Sequence, residues 1–582
     1  MLSLKEYKYT DILKSNKEKN NSVTNENTLA ARVLSNIIVH QLNDVLKFST
    51  AKFGVHTQIT SGDYDNIVQD SANASSKQIV VVFWELCNLI DGLQYKANLL
   101  SEDETRSLIS KTKSEIDFVF SNLGSVPLVL FNKFSACVFN HLELRENNFD
   151  RICDELNAYL INKKPVNVFL VDIDKVIAKN GISSSIDLRY YFSSKALYTL
   201  DFFKSYCEFV LPVILSVRGK AKKALILDCD NTLWKGIIGE DGFDGIKMSG
   251  ASKEGVPFEY VQSIAVNLSR KGVIIGLNSK NNAADVDAVV LNHKDQVLKQ
   301  ENIVIKKVNW QDKVSNLKEI ASDLNIGADS FIMVDDSDFE VNFIRESLPH
   351  VNVVQVPANG YLYPFELIAA SQYFFNMNAT AEDLKKGEMY KQQAERDNQK
   401  AEFENIEDYL KSLELTLTIS ENNTSHVERI AQLTQKTNQF NLTTQRYTET
   451  EISNFMQSGN HMVFDFALAD KFGDYGITGI AIVELKKEKK VAVIDSMLMS
   501  CRVIGRNVEF AFLNHILKRI KEAGIETVTS SYNKTIKNDQ VKDFYDKAHF
   551  KKVKSSDQEH LYETKISDIN FINIPYLNIQ LQ

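Results

Sequence analysis

Two aspartates at the end of an apolar segment constrain the fold of this chain more than any other feature. Residues 224–234 read ALILDCDNTLW, and Asp228 and Asp230 stand two residues apart where the apolar half ends. Side chains at that spacing point to the same side of a β-strand. Carboxylates that project together from a buried strand can bind one magnesium ion and one phosphoryl group. The segment therefore predicts an α/β fold with a phosphoryl-handling site at a strand end.

A second apolar segment ends in residues suited to holding a phosphate group. Residues 272–278 read GVIIGLN, the pattern of a buried strand, and Ser279, Lys280 and Asn281 follow directly. Hydroxyl and backbone N–H groups at a strand end can bind phosphate oxygens. We therefore expect these three residues beside the paired aspartates.

Two more segments complete the pattern. Lys313 stands near the start of an amphipathic helix and can supply a fixed positive charge. Residues 330–334 (SFIMV) read as a third apolar strand, which ends in Asp335 and Asp336. Acidic residues at this strand end are expected to complete a magnesium site. The alternative, that all these residues are helix caps and surface ion pairs, does not account for their common order.

In this order the four segments resemble the haloacid dehalogenase (HAD) superfamily of aspartate-nucleophile phosphatases and phosphotransferases. The resemblance implies Mg²⁺ as the cofactor, Asp228 as the nucleophile that forms an aspartyl-phosphate, and Asp230 as general acid and then base. The implied metal ligands are Asp228, Asp230, Asp335 and Asp336. The implied phosphate contacts are Ser279, Lys280, Asn281 and Lys313.

The interval between the first two motifs is short. It holds a glycine-rich turn, GIIGEDGFDGI, and one helix-like segment, residues 257–270. No space is left for a large cap domain, so we expect a site open to bulky partners. The phosphate would then arrive on, or the product leave to, a protein.

The surrounding sequence resembles the FkbH-like branch of the superfamily. The similarity is carried by DCDNTLWKGIIGEDG, LNSKNN, NWQDKVSNLKEIASDLNIG, VDDSDFEVNFIRESLP and SCRVIGRNVEFAFL. It implies that the glyceryl group of 1,3-bisphosphoglycerate moves onto an enzyme cysteine and then onto the phosphopantetheine thiol of an acyl carrier protein, with loss of phosphate. Lys235 departs from the pattern, which has glycine there, and is either a phosphate contact or a solvated turn residue.

Composition indicates a large soluble enzyme. The chain has 582 residues, 44% of them hydrophobic, which is enough for three or four domains. A net charge of -9 argues against nucleic acid as a partner. Because no signal peptide or membrane-spanning apolar run is visible, we predict a cytoplasmic protein without a membrane partner. The six cysteines include no C-x-x-C pair, so neither zinc nor a disulfide framework is indicated.

Upstream of the phosphoryl site, we predict an N-terminal extension (1–27) and an α/β domain (28–220) with alternating strand and helix patterns. The domain resembles SGNH hydrolases. Ser35 stands at the nucleophile position, but the late segment offers Asp187 and Arg189 without a histidine. Without an imidazole to accept its proton, Ser35 is a weak nucleophile, so a docking or architectural role is favoured over hydrolysis.

Downstream, we predict a HAD-like domain (221–375), polar linker helices (376–412) and a second α/β domain (413–582). Residues 462–468 and 476–485 read as antiparallel strands, as do residues 491–499. A loop, an amphipathic helix, a further strand and the helix-like run NDQVKDFYDKA follow. This order resembles an acetyltransferase of the GNAT type.

A loop in this last domain partly matches the GNAT pyrophosphate loop. Arg502, Gly505 and Arg506 could form an anion site at a helix N-terminus, suited to the phosphate of a phosphopantetheine arm. Asn533 and Asn538 follow the next strand, where they could bond the pantetheine amides. A structural arginine loop is the alternative.

Cys501 is the leading candidate for the acyl-carrying residue, since neighbouring arginines and a helix N-terminus would favour its thiolate. Cys229 is the rival, although it should point away from the aspartates. The basic run of residues 218–223 (RGKAKK) is either a docking surface for an acidic carrier protein or a solvated linker. Two other functions stay open: a simple magnesium-dependent phosphatase acting on a carrier-bound or small phosphorylated substrate, and a non-catalytic scaffold.

Overall fold

Three β-sheets organise the described part of the chain, two of them parallel and one mixed, in agreement with the α/β class expected from the sequence. The computed structural model describes residues 3–20, 28–377, 405–535 and 537–582 and the single residues Met389, Gln392 and Phe403. Among these residues no helix is both long and apolar enough to span a membrane.

The unit Leu2–Val217 is built on a parallel sheet with the strand order β2-β1-β3-β4-β5. Its strands are β1 (Thr28–Ser35), β2 (His56–Ser61), β3 (Ile79–Phe83), β4 (Leu128–Asn132) and β5 (Val168–Val171). Its longer helices are α1 (Tyr9–Asn20), α2 (His40–Ala51), α3 (Glu102–Asn122), α4 (Asn148–Lys163), α5 (Ile173–Asn180), α6 (Leu188–Ser194) and α7 (Leu200–Val217). Every residue of β3 and β4 is buried, because central parallel strands have both faces covered.

The unit Arg218–Gln582 contains the other two sheets. The first of these is parallel, with the order β10-β9-β6-β7-β8. Its strands are β6 (Ala224–Leu227), β7 (Ile274–Ser279), β8 (Ile305–Val308), β9 (Phe331–Asp335) and β10 (Asn352–Gln355). Its longer helices are α8 (Val256–Arg270), α9 (Ala283–Asn292), α10 (Lys313–Asp323), α11 (Asp338–Ser347) and α12 (Tyr363–Ser371). We call it the second sheet.

The third sheet is mixed, with the order β17-β18-β16-β15-β14-β13-β11-β19 and β12 paired to β15. Its strands are β11 (Thr416–Glu421), β12 (Phe440–Asn441), β13 (His461–Asp470), β14 (Gly473–Lys486), β15 (Val491–Met499), β16 (Thr527–Asn533), β17 (Lys551–Ser555), β18 (Glu559–Lys565) and β19 (Asn578–Leu581). Its longer helices are α13 (Ile406–Ser412), α14 (Val427–Lys436), α15 (Glu449–Gln457) and α16 (Val508–Glu522). The predicted antiparallel arrangement of β13, β14 and β15 is confirmed.

A short strand fills a gap in the third sheet. β15 and β16 run parallel but pair only from Val491–Ile494 to Thr527–Ser530. Beyond that point β12 takes the place of β16, with Phe440 opposite Met499 and Asn441 opposite Leu498. The space between the diverging strands is therefore filled by β12, a segment of this same chain.

One predicted helix is broken. The run NDQVKDFYDKA forms the turn Asp539–Val541 and the short helix Phe544–Lys547 instead of one continuous helix. The reason lies in β18, since the Tyr562 hydroxyl donates to the carbonyl oxygen of Lys542 at 3.3 Å. Most of the predicted linker, residues 376–412, falls outside the described residues, and its last part is helix α13. The five-part domain division stays a prediction.

Candidate active site

The predicted phosphoryl-site residues come from three strand ends that meet at one edge of the second sheet. Asp228 follows β6, Ser279 ends β7 and Asp335 ends β9. The parallel register aligns these ends, and the backbone N–H of Asp228 donates to the carbonyl of Val334 at 3.0 Å. The carboxyl edge of the sheet therefore gathers side chains from segments far apart in sequence.

Lys313 lies between two of these carboxylates. Its Nζ is 3.1 Å from Oδ1 of Asp228 and 2.6 Å from Oδ2 of Asp335, and all three side chains are buried. Burial disfavours the lysine charge, but the two carboxylates outweigh it, so the pKa of Lys313 lies above its ordinary value. α10 begins at Lys313 because the Asp312 side chain caps it, accepting a bond from the N–H of Ser315 at 2.8 Å.

Three carboxylates face one another at this edge. Ligand atoms of Asp228, Asp335 and Asp336 all lie within 4.8 Å of one another. Burial raises the pKa of Asp228 to about 6, with Lys313 lowering it and Asp335 raising it. Burial and then the charge of Asp228 raise the pKa of Asp336. Because Lys313 offsets only part of this negative charge, a divalent cation that prefers oxygen ligands fits the group.

Asp230 is oriented by N–H donors and stands outside this group of carboxylates. Its Oδ1 accepts from Nε1 of Trp234 (2.9 Å) and from the N–H of Ile238 (3.0 Å), and its Oδ2 accepts from Nδ2 of Asn281 (2.9 Å). The turn uses Asn231 in the left-handed region, with φ 51°. The sequence led us to expect Asp230 among the metal ligands, whereas its carboxylate binds three N–H groups.

Ser279 and Asn281 lie at the site, whereas Lys280 is turned towards a helix. Nδ2 of Asn281 donates to Oγ of Ser279 at 3.2 Å, and both residues are buried. Nζ of Lys280 is 2.6 Å from Oε1 of Glu340, a buried residue of α11. The charge of Lys280 is therefore already neutralised within the protein.

The two candidate cysteines occupy very different surroundings. Cys229 is fully buried, and burial followed by the charge of Asp228 raises its pKa well above the ordinary value. Its thiol is therefore protonated and inaccessible. Cys501 is half-buried in the turn Cys501–Val503 after β15, and its carbonyl oxygen accepts from Nδ2 of Asn325 at 2.8 Å.

The arginines of the expected anion-binding loop form hydrogen bonds with other residues of the protein. Nε of Arg502 donates to Oγ of Ser500 at 3.2 Å. The buried guanidinium of Arg506 donates to the carbonyl of Arg502 (2.7 Å) and the hydroxyl of Tyr475 (2.9 Å). Gly505 adopts φ 84°, which favours glycine. These contacts hold Arg506 inside the protein and the half-buried Arg502 against Ser500.

Asn533 and Asn538 join β16 to β12. Nδ2 of Asn538 donates to the carbonyls of Asn441 and Asn533, both at 2.9 Å, and its Oδ1 accepts from the N–H of Thr535 at 2.7 Å. The backbone N–H of Asn533 donates to the carbonyl of Leu442 at 2.7 Å. Asn538 is fully buried, so neither hydrogen of its amide is left for a pantetheine arm.

In the unit Leu2–Val217, Ser35 is bonded internally. Its Oγ donates to the carbonyl of Phe83 at 3.0 Å and accepts from the N–H of Ile37 at 3.1 Å. Asp187 caps α6 and forms an ion pair of 2.7 Å with Arg189. The ion pair ties both late-segment residues to each other, and neither contacts Ser35 through a hydrogen bond.

Two residues of the site escaped prediction. Trp234 follows Asp230 by four residues, and its Nε1 donates a hydrogen bond back to that carboxylate. The presence of a tryptophan in the first motif could have indicated this contact. Glu340 lies 60 residues after Lys280, so no local pattern links the two. Their contacts determine where Asp230 and Lys280 point.

No protein-family model matches the chain, and no curated protein matches it. Among solved structures, the N-terminal part of the protein BF1531 from Bacteroides fragilis, which contains a phosphatase domain complexed with Mg, is 23% identical with a TM-score of 0.56. The match covers 64% of this chain and 99% of that chain. The likeness is one of fold.

Two N-acetyltransferases match smaller parts of the chain. The ribosomal-protein-S18-alanine N-acetyltransferase from Escherichia coli is 14% identical with a TM-score of 0.21, covering 26% of this chain and 94% of that chain. The PaiA N-acetyltransferase from Thermoplasma acidophilum, in complex with coenzyme A, is 18% identical with a TM-score of 0.17, covering 20% and 72%. Likenesses this slight carry no inference about the chemistry of the third sheet.

Proposed function

We propose that this protein is a magnesium-dependent, HAD-type phosphatase that also transfers a small hydroxyacyl group to the thiol of an acyl carrier protein. The observation that carries the phosphatase activity is the buried group of Asp228, Lys313 and Asp335, with Asp336 beside it. Asp228, Asp335 and Asp336 would hold Mg²⁺, which when bound supplies positive charge beside the phosphoryl oxygens.

Asp228 is the proposed nucleophile. Lys313 holds its carboxylate at the strand end, and the attack of a carboxylate oxygen on phosphorus forms an aspartyl-phosphate while the substrate oxygen leaves. Asp230, oriented by Trp234 and Asn281, protonates that leaving oxygen and then removes a proton from the water that hydrolyses the intermediate.

A phosphorylated three-carbon acid such as 1,3-bisphosphoglycerate suits this scheme. It carries one ester phosphate and one acyl phosphate, and the two react differently. Asp228 would attack the phosphorus of the ester phosphate, whereas a thiolate would attack the acyl carbon of the acyl phosphate. Between β6 and β7 stand only the short helix Ile238–Asp241 and α8, so the site is open enough for a substrate carried on a protein.

Cys501 is the proposed acyl-carrying residue. Its thiolate attacks the acyl carbon, so that a carbon–sulfur bond forms and the bond to phosphate breaks, releasing inorganic phosphate. The thiol of the phosphopantetheine arm then attacks the thioester, takes the acyl group and returns the Cys501 thiol. The loop of Arg502, Gly505 and Arg506, together with Asn533, remains the proposed wall of the pantetheine channel. This order of steps follows the FkbH-like resemblance.

The phosphatase half is tested by phosphate release from a phosphate monoester in the presence of Mg²⁺, because an acyl phosphate would also release phosphate at Cys501. Asp228→Asn keeps the shape of the side chain but removes the nucleophile, so we expect release to fall by about 1,000-fold or more. Asp244→Asn, an exposed aspartate in the turn after the short helix Ile238–Asp241, is the matched control and should keep full release. Undiminished release by the Asp228 variant would rule out the proposed nucleophile. A simple phosphatase would release phosphate without any acyl adduct on enzyme or carrier.

The sheet of the unit Leu2–Val217 has a proposed docking or architectural role. Ser35 is buried and bonded to backbone groups, which supports this role over hydrolysis. Replacing Ser35 with Ala should leave both proposed activities unchanged.

A further inference from the structure

Basic side chains gather between the second and third sheets. Arg218 and Lys220 precede β6, Arg446 precedes α15, and Lys537 follows β16. We call these four residues the basic cluster. Burial, followed by the charges of Lys537 and Arg218, lowers the pKa of Lys220, and the charge of Asp329 opposes part of this shift. The cations therefore lie close enough to repel one another.

Backbone and side-chain contacts fix the cluster in place. A methyl group on Gly219 would lie 3.6 Å from Nη1 of Arg446, so the segment before β6 passes directly against that guanidinium. Nζ of Lys537 is 2.5 Å from Oδ2 of Asp329. Nζ of Lys222 binds the carbonyl oxygen of Asp329 at 2.6 Å. The segment before β6 and the loop after β16 thus converge on Asp329.

The two arginines of the cluster have no acidic partner among the described residues. Arg446 donates to the carbonyl oxygens of Thr434 and Gln435 and to Oδ1 of Asn438, all of them uncharged. Burial and then Arg218 lower the pKa of Arg446 to about 10. Burial alone lowers the pKa of Arg218. A bound anion would offset the charges of both arginines.

The cluster lies beside the turn that carries Cys501. The loop between α10 and β9 holds both Asn325 and Asp329. Asn325 binds the carbonyl oxygen of Cys501, and Asp329 binds Lys537 of the cluster. One short loop therefore contacts both the proposed acyl-carrying turn and the basic cluster.

We propose that the basic cluster binds the phosphate ester of the thiol arm that accepts the acyl group from Cys501. The inference rests on the proposed acyl transfer and moves the phosphate contacts from the Arg502 loop to Arg218 and Lys220 of the cluster. Arg446, like Arg502 and Arg506, already donates to groups of the protein and adds its charge. A phosphate ester stays anionic at neutral pH and accepts paired hydrogen bonds from guanidinium groups. The same ester occurs on a carrier protein and in coenzyme A.

Calorimetric titration of the full chain with pantetheine 4′-phosphate and with pantetheine tests the site without relying on catalysis. The two probes differ only in the phosphate. We expect the phosphate form to bind about tenfold or more tightly, and Lys220→Ala with Arg218→Ala to remove most of that difference. Lys271→Ala, which removes an exposed lysine before β7, should preserve it. Equal binding of both probes, or an undiminished difference in the double variant, would overturn the proposal.

Lys220→Ala alone changes the more exposed of these two side chains and guards against misfolding of the double variant. It should weaken binding of pantetheine 4′-phosphate and leave binding of pantetheine unchanged.

Titration with holo-carrier, apo-carrier and coenzyme A then identifies the source of the ester. Stronger binding of holo-carrier than of both others supports the carrier arm, and stronger binding of coenzyme A supports the free cofactor. If apo-carrier binds as tightly as holo-carrier, the cluster binds the surface of the carrier protein and not its arm, and the proposal is wrong. Phosphate-dependent binding without any acyl transfer would contradict the proposed function and leave the site standing.

Discussion

Lys313 balances the charge of the proposed phosphatase centre. It is buried and bonds two buried carboxylates, Asp228 and Asp335. Without Lys313, those two carboxylates would remain buried with no positively charged side chain to balance them. A buried ion group that loses one member is destabilised far more than a surface pair.

Lys313→Met should therefore lower the free energy of unfolding by about 3–5 kcal/mol, measured by urea denaturation in the presence of a chelator. Added Mg²⁺ should restore part of the loss, because a cation at the carboxylates replaces the missing charge. Lys271→Met, at an exposed position, is the control. An unchanged unfolding free energy would show that Lys313 has no part in balancing these charges.

A buried glutamate in the unit Leu2–Val217 gives a pH-dependent prediction. Burial raises the pKa of Glu85 to about 8, although the bond from the Tyr198 hydroxyl opposes the shift. The folded state therefore holds a proton that the unfolded chain releases above its ordinary pKa of 4.5. Stability is complete below that value and falls as pH rises towards 8, by at most about 1.4 kcal/mol per pH unit.

Glu85→Gln keeps the size and polarity of the side chain and cannot ionise. The fall in melting temperature of the full chain between about pH 5 and pH 8 should be shallower in this variant than in the wild type. Groups distant from Glu85 titrate alike in both proteins, so the difference reports on Glu85 and its immediate neighbours. Parallel melting curves across this range would contradict the raised pKa.

Among the elements, the short strand β12 fills a gap in the third sheet. It occupies the space between β15 and β16, and Asn538 ties it to β16 through two carbonyl oxygens. Asn538→Ala would leave those carbonyls and the N–H of Thr535 without their partner. We expect a loss of about 1–3 kcal/mol in urea denaturation, whereas Asn578→Ala on the exposed strand β19 should cost little. Equal stability of the two variants would mean that water replaces these bonds.

Much of the second sheet could be predicted from sequence because its signals are local. A buried parallel strand reads as an apolar run, and Asp228 and Asp335 follow such runs directly. The start of α10 at Lys313 was also visible, since Asp312 is a typical helix cap.

The features that could not be predicted depend on distant partners. β12 is two residues long and exists because Met499 and Leu498 offer it a free strand edge. Lys280 pairs with Glu340 and turns away from the predicted phosphate contacts. Periodicity and composition record neither contact, because both arise only when the chain is folded.

At the scale of the whole unit Arg218–Gln582, the two proposed centres lie at opposite edges of the second sheet. α10 begins at Lys313, in the phosphoryl site, and the chain after it reaches Asn325, which binds the Cys501 carbonyl. At about 1.5 Å of rise per residue, these ends are on the order of 18 Å apart. The phosphoryl and acyl steps therefore require separate residues, and a flexible arm would have to connect them.

This separation predicts that the two activities can be removed independently. Cys501→Ala should keep Mg²⁺-dependent phosphate release from a phosphate ester and lose the acyl-enzyme. Asp228→Asn should keep thioester formation and lose ester hydrolysis. Assays of phosphate and of thioester in each variant measure the two steps separately, and a joint loss in either variant would argue for a single composite site.

The most direct test is intact-protein mass spectrometry after incubation with Mg²⁺, 1,3-bisphosphoglycerate and an acyl carrier protein in its phosphopantetheine form. For the wild type we predict a glyceryl mass on the enzyme and then on the carrier, and for Asp228→Asn an adduct that still carries phosphate. Cys501→Ala should carry no adduct. Phosphate release with no adduct on either wild-type protein, or undiminished glyceryl transfer by the Cys501 variant, would contradict the account.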